Sequence, residues 1–108
     1  MAEIQYLLTK RPGAEPERVT LDPAAPCTLG RSQTNTVPLS DASISRNHAQ
    51  IFFRDGSFWI EDLGSKNGTK LRGRKIHETE PLADRDVIHV GSVPIVVRLY
   101  RRAGTTAT

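Results

Sequence analysis

Residues 49–62 read AQIFFRDGSFWIED, two apolar runs separated by Asp55-Gly56. Aspartate followed by glycine is the preferred chemistry of a two-residue hairpin turn, because both residues tolerate positive φ. Side chains alternate between the two faces of a strand, so Phe58 and Ile60 should point to the same side. The stretch therefore predicts two antiparallel strands joined in a β-hairpin.

Short strand-like runs also occupy the rest of the chain, separated by turn residues, and helical periodicity is absent. The runs lie at residues 4–8, 17–21, 27–29, 37–39, 70–71, 75–76, 87–90 and 93–100. Many short strands with a turn about every eight to twelve residues are typical of a sandwich. We therefore predict an all-β fold, an antiparallel β-sandwich of two twisted sheets.

Individual residues add detail to this prediction. Cys27 and Leu29 alternate with a polar residue, so both should face the core. Pro38 has no N–H to donate, which favours an edge position for its strand. The run 93–100 is apolar at successive positions, so part of its length should be covered on both faces.

The chain has 108 residues and a mass of 11.9 kDa, enough for one domain with one core. We expect this domain to span residues 1–102, followed by a flexible polar tail at 103–108. Cys27 is the only cysteine in the sequence, so no internal disulfide can form and a reducing compartment is expected. Neither a long apolar run nor a secretory signal pattern is present in the sequence, so we expect a cytoplasmic protein without membrane contact.

The net charge of +3 and the pI of about 9.4 permit an anionic partner but do not require one. The positive residues are scattered, with one concentration at Arg72, Arg74 and Lys75 that we interpret as a solvated hairpin. A nucleic-acid-binding face would interleave such residues with aromatic side chains, and this pattern is absent from the sequence. Nucleic acid is therefore a disfavoured partner.

Three predicted loops contain the residues best suited to binding an anion. They follow Leu29, precede His48 and follow Asp62, and strand counting places all three at one end of the sandwich. Arg31 offers a planar fork that matches phosphate oxygens, and Ser45 offers a hydroxyl donor. Each residue alone is also compatible with an ordinary surface side chain.

Asn67-Gly68 is a turn signal, and the simplest interpretation is a tight turn before the next strand. The amide of Asn67 has a second use, because one carbonyl and one NH₂ group can hydrogen-bond an extended peptide on both sides of a residue. The three loops together therefore suit the capture of a phosphorylated peptide.

An enzyme is disfavoured by the same residues. Ser45 would need His48 as a base, an orienting carboxylate and an oxyanion hole, and the sequence has no Gly-x-Ser-x-Gly elbow. The other histidines, His77 and His89, lie in separate segments without a cysteine partner. We expect no catalytic residues, no metal and no cofactor.

The order and spacing of four motifs resemble those of the forkhead-associated (FHA) domain, a phosphothreonine-binding module. The motifs are Gly30-Arg31, Ser45-x-x-His48, the string at residues 62–69, and Leu82-x-x-x-Asp86-x-Ile88-x-x-Gly91. The resemblance extends over nearly the whole chain. It implies a SMAD/FHA-like β-sandwich with binding loops at one end, a phosphothreonine-containing protein or peptide as partner, and a Ser/Thr kinase acting upstream.

The resemblance also implies which residues bind. Arg31 and Ser45 match positions that contact the phosphate. Arg46 and Lys66 match positions that add phosphate or peptide contacts. Asn67 matches the residue that holds the peptide backbone beside the phosphothreonine.

Other residues match positions with a different role. Gly30, His48 and Gly68 match residues that shape the loops. Ser43 and Ile44 fall in the stretch that helps to select the third residue after the phosphothreonine. These two residues are therefore expected to influence peptide specificity.

Two positions depart from the family pattern. Arg72-Gly73 stands where many members have Asn-Gly, and Arg85-Asp86 stands where many have Gly-Asp. Arginine tolerates positive φ poorly, so the geometry of the turn at 72–73 stays open. Two alternatives to phosphothreonine binding also stay open: an FHA fold that binds proteins independently of phosphate, and a nucleic-acid-binding β-domain.

Overall fold

The computed structural model describes residues 2–6 and 15–100, and all regular structure within them is β-strand. The strands are β1 (Ala2–Tyr6), β2 (Glu17–Thr20), β3 (Cys27–Gly30), β4 (Val37–Pro38), β5 (Ala49–Arg54), β6 (Ser57–Asp62), β7 (Thr69–Leu71), β8 (Arg74–Lys75), β9 (Glu80–Pro81), β10 (Val87–Val90) and β11 (Val93–Leu99).

The strands form two sheets. Sheet A has the order β2-β1-β11-β10-β7-β8, and sheet B has the order β4-β3-β5-β6-β9. Neighbouring strands are antiparallel with one exception, the parallel pair β3–β4, in which Leu29 lies opposite Val37. The predicted β-sandwich is confirmed, and the edge position expected for the strand of Pro38 is confirmed as well.

The hairpin at residues 49–62 has the predicted register. Ile51 lies opposite Ile60 and both are buried, with 1% and 0% of their surface exposed. Asp55 has φ 52° and Gly56 has φ 80°, so both turn residues adopt the left-handed conformation that this turn requires. The hairpin runs through the middle of sheet B and contributes its inner face to the core.

The inner faces of both sheets supply the core. Its largest fully buried apolar side chains are Ile4, Leu29, Leu39, Ile44, Ile51, Ile60, Ile88, Ile95, Val37, Val90 and Val97. Cys27 is 4% exposed and lies on the same inward face as Leu29, as predicted. Burial raises the pKa of the Cys27 thiol to about 11, so the group remains protonated near neutral pH.

Some strand limits differ from the predictions. The first strand begins earlier than expected, at Ala2, and the predicted residues 7 and 8 lie outside the described residues, as does the predicted tail at 103–108. The pair Glu80–Pro81 forms a strand that was not predicted, because two residues show no alternation and one of them is proline. In β11 the second face is only partly covered, since Val96 is half-buried and Pro94 is exposed.

The two departures from the family pattern are joined by an ion pair. Arg72 has φ 51° and Gly73 has φ 79°, so the turn between β7 and β8 forms despite the arginine. Arg72 donates from Nε to Oδ1 of Asp86 over 2.9 Å and from Nη2 to Oδ2 over 2.8 Å. Asp86 is 8% exposed and also accepts the N–H of Ala83 over 2.7 Å. The bidentate contact holds the arginine in a backbone conformation that it otherwise disfavours.

We expect Asp86→Ala to lower the free energy of unfolding by about 1–3 kcal/mol, because it leaves a backbone N–H and the Arg72 guanidinium without their buried acceptor. Urea denaturation measures the change. Arg74→Ala, a replacement at an exposed position of the same hairpin, serves as the control and should stay within about 0.5 kcal/mol of the wild type. Equal stability of Asp86→Ala and the control would contradict the structural role of this pair.

Candidate functional site

Three loops meet at one end of the sandwich. They comprise residues 31–36 after β3, 39–48 before β5 and 63–68 after β6, and we call them the apical loops. The N–H of Arg31 donates to the carbonyl of Ser45 over 2.9 Å, and the N–H of Lys66 donates to Ser45 Oγ over 2.9 Å. Nδ2 of Asn67 donates to the carbonyl of Ser43 over 2.8 Å. The gathering of the three loops that the sequence predicts is confirmed.

Gly30 allows the first two loops to approach each other. A Cβ at this position would overlap the carbonyl oxygen of Arg46 and would lie 2.8 Å from its carbonyl carbon. Asn35, only 8% exposed, donates from Nδ2 to the carbonyls of Ser32 and Arg46 over 2.8 and 2.7 Å. This role of Asn35 could not be predicted from the sequence, because nothing in its local pattern distinguishes it from an ordinary loop asparagine.

His48 joins the second and third loops. Its ring is fully buried, its Nδ1 accepts the N–H of Ser45 over 3.0 Å, and its Nε2 contacts the carbonyl of Gly68 over 2.8 Å. Since a backbone N–H can only donate, Nδ1 carries no proton and Nε2 donates its proton to Gly68. Both ring nitrogens are thus engaged with backbone groups, and the geometry pairs neither of them with the Ser45 hydroxyl.

Asp62 organises the third loop. Its Oδ1 accepts the hydroxyls of Ser65 and Thr69 over 2.5 and 2.7 Å, and its Oδ2 accepts the N–H groups of Gly64 and Ser65 over 3.0 Å each. Burial favours the protonated carboxyl, but these hydrogen bonds outweigh it and hold the pKa of Asp62 below its usual value. Asp62 lies in the motif at residues 62–69, but its role could not be predicted from the sequence, because its partners are set by the loop conformation.

The two side chains expected to contact the phosphate, Arg31 and Ser45, each make one hydrogen bond to the backbone and keep other donors available. Arg31 is exposed, and its Nε donates to the carbonyl of Ile44 over 3.1 Å. Ser45 uses its oxygen to accept the Lys66 N–H, so the hydroxyl proton stays available. Arg31, Arg46 and Lys66 make no ion pair with any residue that the structure describes. Their positive charge is therefore available to an anionic ligand.

Asn67 is exposed beside this group of donors. Its contact with the carbonyl of Ser43 uses one of the two hydrogens on Nδ2, so one N–H and the Oδ1 acceptor remain. One donor and one acceptor are the groups needed to pair with an extended peptide backbone. The preformed contact to Ser43 also fixes the orientation of the amide.

The two residues expected to influence peptide specificity, Ser43 and Ile44, make different contacts. Ile44 is 2% exposed and packs in the core, so its side chain supports the loop from inside, and its influence on specificity stays a prediction. Ser43 Oγ donates to Asp41 Oδ1 over 2.5 Å and accepts the N–H of Ser92 over 2.9 Å. Gly91 packs so closely on Ser43 that a Cβ would lie 2.6 Å from its carbonyl oxygen. Ser43 thus ties the second apical loop to the turn between β10 and β11.

No group of three or more histidine, cysteine, aspartate or glutamate side chains in residues 2–6 and 15–100 is arranged to hold a metal ion. The same residues contain no helix long and apolar enough to cross a membrane.

The conserved-domain model of the FHA domain matches residues 27–91, the segment that contains β3 to β10 and all three apical loops. The chain belongs to the FHA domain family. Its apical loops are therefore the loops of an FHA domain, and the motifs identified in the sequence lie in the matched segment.

Relatives and solved structures agree with this assignment. The FHA domain-containing protein FhaB of Mycobacterium tuberculosis is 30% identical over 94 residues, which cover 87% of this chain and 60% of FhaB. The crystal structure of the FHA domain of CT664 from Chlamydia trachomatis has a TM-score of 0.82 and 33% identity, covering 93% of this chain and 98% of that one. An FHA domain solved in work on phosphothreonine-dependent interactions has a TM-score of 0.80 and 28% identity, covering 94% and 98%. The chain spans about half the length of the curated relatives it matches.

Asp62→Asn should lower the free energy of unfolding by about 1–3 kcal/mol near neutral pH, because an amide cannot accept all the hydrogen bonds that the carboxylate accepts. The depressed pKa means that this contribution is present above the unfolded value of about 3.9 and is lost as the pH falls through the folded value. Denaturation of both proteins between pH 7 and pH 3 measures it. The difference should shrink below about pH 4, and a difference independent of pH would contradict the proposed cause.

Proposed function

We propose that this FHA domain binds phosphothreonine-containing proteins through its apical loops and reads the product of an upstream Ser/Thr kinase. The observation that carries the proposal is that hydrogen bonds tie together the three loops that contain Arg31, Ser45 and Asn67, while each of these side chains keeps a donor available for a ligand. No catalytic step is included, because the fully buried His48 is engaged by backbone groups on both sides. The domain acts as an interaction module in the cytoplasm, within residues 1–102.

The proposed roles follow from the chemistry of each side chain. The Arg31 guanidinium and the Ser45 hydroxyl bind the phosphate, and Asn67 holds the peptide backbone. Arg46 and Lys66 add charge at the rim of the site, where both are exposed. Because Ser43 is bound to its neighbours, it shapes the surface that receives the flanking residues of the peptide.

The energy of such an interaction depends on the phosphate. A phosphate monoester carries about −1.5 to −2 charges near neutral pH, and each charge-assisted hydrogen bond contributes about 1.5–3 kcal/mol. Two or three such bonds separate an undetectable complex from a micromolar one, which corresponds to about −8 kcal/mol. The domain is therefore expected to bind only after phosphorylation.

The similarity to known FHA domains supports this proposal without extending it to a named partner. One solved relative comes from work on phosphothreonine-dependent FHA interactions, and its fold matches 94% of this chain. Because this chain spans about half the length of its curated relatives, the proposal concerns the domain and its ligand class.

We expect Arg31→Ala to weaken binding of a phosphothreonine peptide by at least about a hundredfold, because two charge-assisted hydrogen bonds are lost. Calorimetric titration measures the affinity, and a thermal melt confirms that the variant is folded. Arg31→Lys keeps the charge but not the planar fork, so its affinity should lie between those of the wild type and the alanine variant.

Two controls accompany this titration. The unphosphorylated peptide should not bind the wild type, and Arg18→Ala, which changes an exposed arginine on β2, should bind like the wild type. Equal binding of the phosphorylated and unphosphorylated peptides would replace the proposal with a phosphate-independent interaction. Wild-type affinity in a folded Arg31→Ala variant would remove Arg31 from the site.

Asn67→Ala should weaken the same complex by about 5- to 150-fold, since backbone groups of the peptide lose partners worth about 1–3 kcal/mol. Asn47→Ala is the matched control, because Asn47 is an exposed asparagine of the neighbouring loop. Unchanged affinity in a folded Asn67→Ala variant would mean that Asn67 only forms the turn.

A further inference from the structure

A row of basic side chains crosses the outer face of sheet A next to the apical loops. Lys70 on β7 lies directly opposite Lys75 on β8 and directly opposite His89 on β10. Opposed residues of antiparallel strands share a face, and Lys70 alternates with the buried Thr69 and Leu71. The three side chains therefore lie on the outer face, and we call Lys70, Lys75 and His89 the basic row.

Lys75 extends from this row towards the proposed binding site. A Cβ built at Gly68 would lie 2.6 Å from Cε and 3.3 Å from Nζ of Lys75, so the lysine side chain crosses the backbone of Gly68. Gly68 directly follows Asn67, which is proposed to hold the ligand backbone. The side chain also borders a groove lined by three carboxylates, Glu61, Asp62 and Glu78, but it makes no ion pair with any described carboxylate. The Lys75 ammonium is thus free beside the site.

The lysine charges of the basic row are not neutralised by ion pairs among the described residues. Arg72, on the same hairpin, is paired with Asp86, whereas neither Lys70 nor Lys75 makes an ion pair with any described residue. Like charges directly opposite each other on neighbouring strands, as Lys70 and Lys75 are, are destabilising. A bound anion would relieve this repulsion.

We propose that the basic row is a second anion subsite, which takes a phosphate or a carboxylate on the same ligand that occupies the apical loops. The inference rests on the proposed function. Lys70 is three residues after Asn67, so the two residues are separated by at most about 10–11 Å, a distance that an extended peptide spans in about three residues. The second negative group therefore lies within about three residues of the phosphothreonine.

The subsite contributes selectivity among phosphothreonine ligands. Ion pairs between exposed groups are weak, and they are screened by salt. The phosphothreonine contacts supply most of the affinity, and the basic row favours ligands with a second negative charge nearby.

The test uses a phosphothreonine peptide with neutral flanks and a set in which aspartate or phosphoserine replaces each flanking residue in turn, up to four positions on either side. For the wild type, the added negative charge should lower the dissociation constant by about three- to tenfold at its most favourable position, and higher salt should reduce this gain in affinity. The double variant Lys70→Gln/Lys75→Gln should lose the gain and bind the neutral-flank peptide within about twofold of wild type. The variant Lys70→Arg/Lys75→Arg should keep it.

Arg18→Gln is the matched control, because Arg18 is an exposed cation on the outer face of sheet A, reached through the paired residues Gln5 and Val96. It lies four strands from Lys70, about 19 Å at about 4.8 Å per strand. This separation exceeds the Debye length of about 8 Å at physiological ionic strength, so this variant should keep the full gain.

The outcomes separate the two proposals. A second negative charge that improves wild-type binding at no position would overturn the subsite, and so would a gain that persists in the glutamine double variant. Failure of the wild type to bind the neutral-flank phosphothreonine peptide would instead overturn the proposed function. If only phosphoserine improves wild-type binding, the preferred ligand is doubly phosphorylated. If aspartate improves it as well, the preferred ligand carries acidic residues near the phosphothreonine.

Discussion

The buried imidazole of His48 makes the two contacts on which the arrangement of the apical loops depends. One neutral ring accepts the N–H of Ser45 and donates to the carbonyl of Gly68, so it fixes two loops that belong to different strand connections. Unpaired backbone groups buried at this point would each cost about 1–3 kcal/mol. Because the ring pairs both of them, the loops are ordered before a ligand arrives. The conformational entropy of ordering them is then lost during folding and not during binding, which favours tighter association.

The side chains that hold the apical loops together are different from those that face the ligand. Asn35, His48 and Asp62 are buried or half-buried and satisfy the backbone of the apical loops, whereas Arg31 and Asn67 are exposed and use only part of their hydrogen-bonding capacity. Loss of a scaffolding group should therefore affect stability and binding together, and loss of an exposed group should affect binding alone. This separation allows the exposed residues to be tested without unfolding the domain.

Local chemistry explains which parts of the fold could be predicted from the sequence. The turn at Asp55-Gly56 and the inward face of Cys27 depend on residues adjacent in the chain, and both predictions are confirmed. The strand Glu80–Pro81 has no local pattern of its own and exists because β6 offers it a partner. The FHA motifs located the apical loops, but Asn35 and the tie between Ser43 and Ser92 depend on contacts distant in sequence, which spacing alone does not reveal. The residue types of the site are therefore easier to predict from the sequence than the contacts between them.

Placement of charge, more than its total, determines what this surface can bind. A net charge of +3 is compatible with many functions, and the cluster at residues 72–75 resembles a solvated hairpin in the sequence. In the structure the members of this cluster differ. Arg72 forms an ion pair with Asp86 and holds the turn, while Lys75 lies against Gly68 and makes no ion pair with any described carboxylate. Since Coulomb interactions between exposed groups are largely screened beyond about 8 Å, an unpaired cation favours one charged ligand over another only when it lies close to the site, as Lys75 does. Two cations of one hairpin therefore belong to different functions, one to folding and one to recognition.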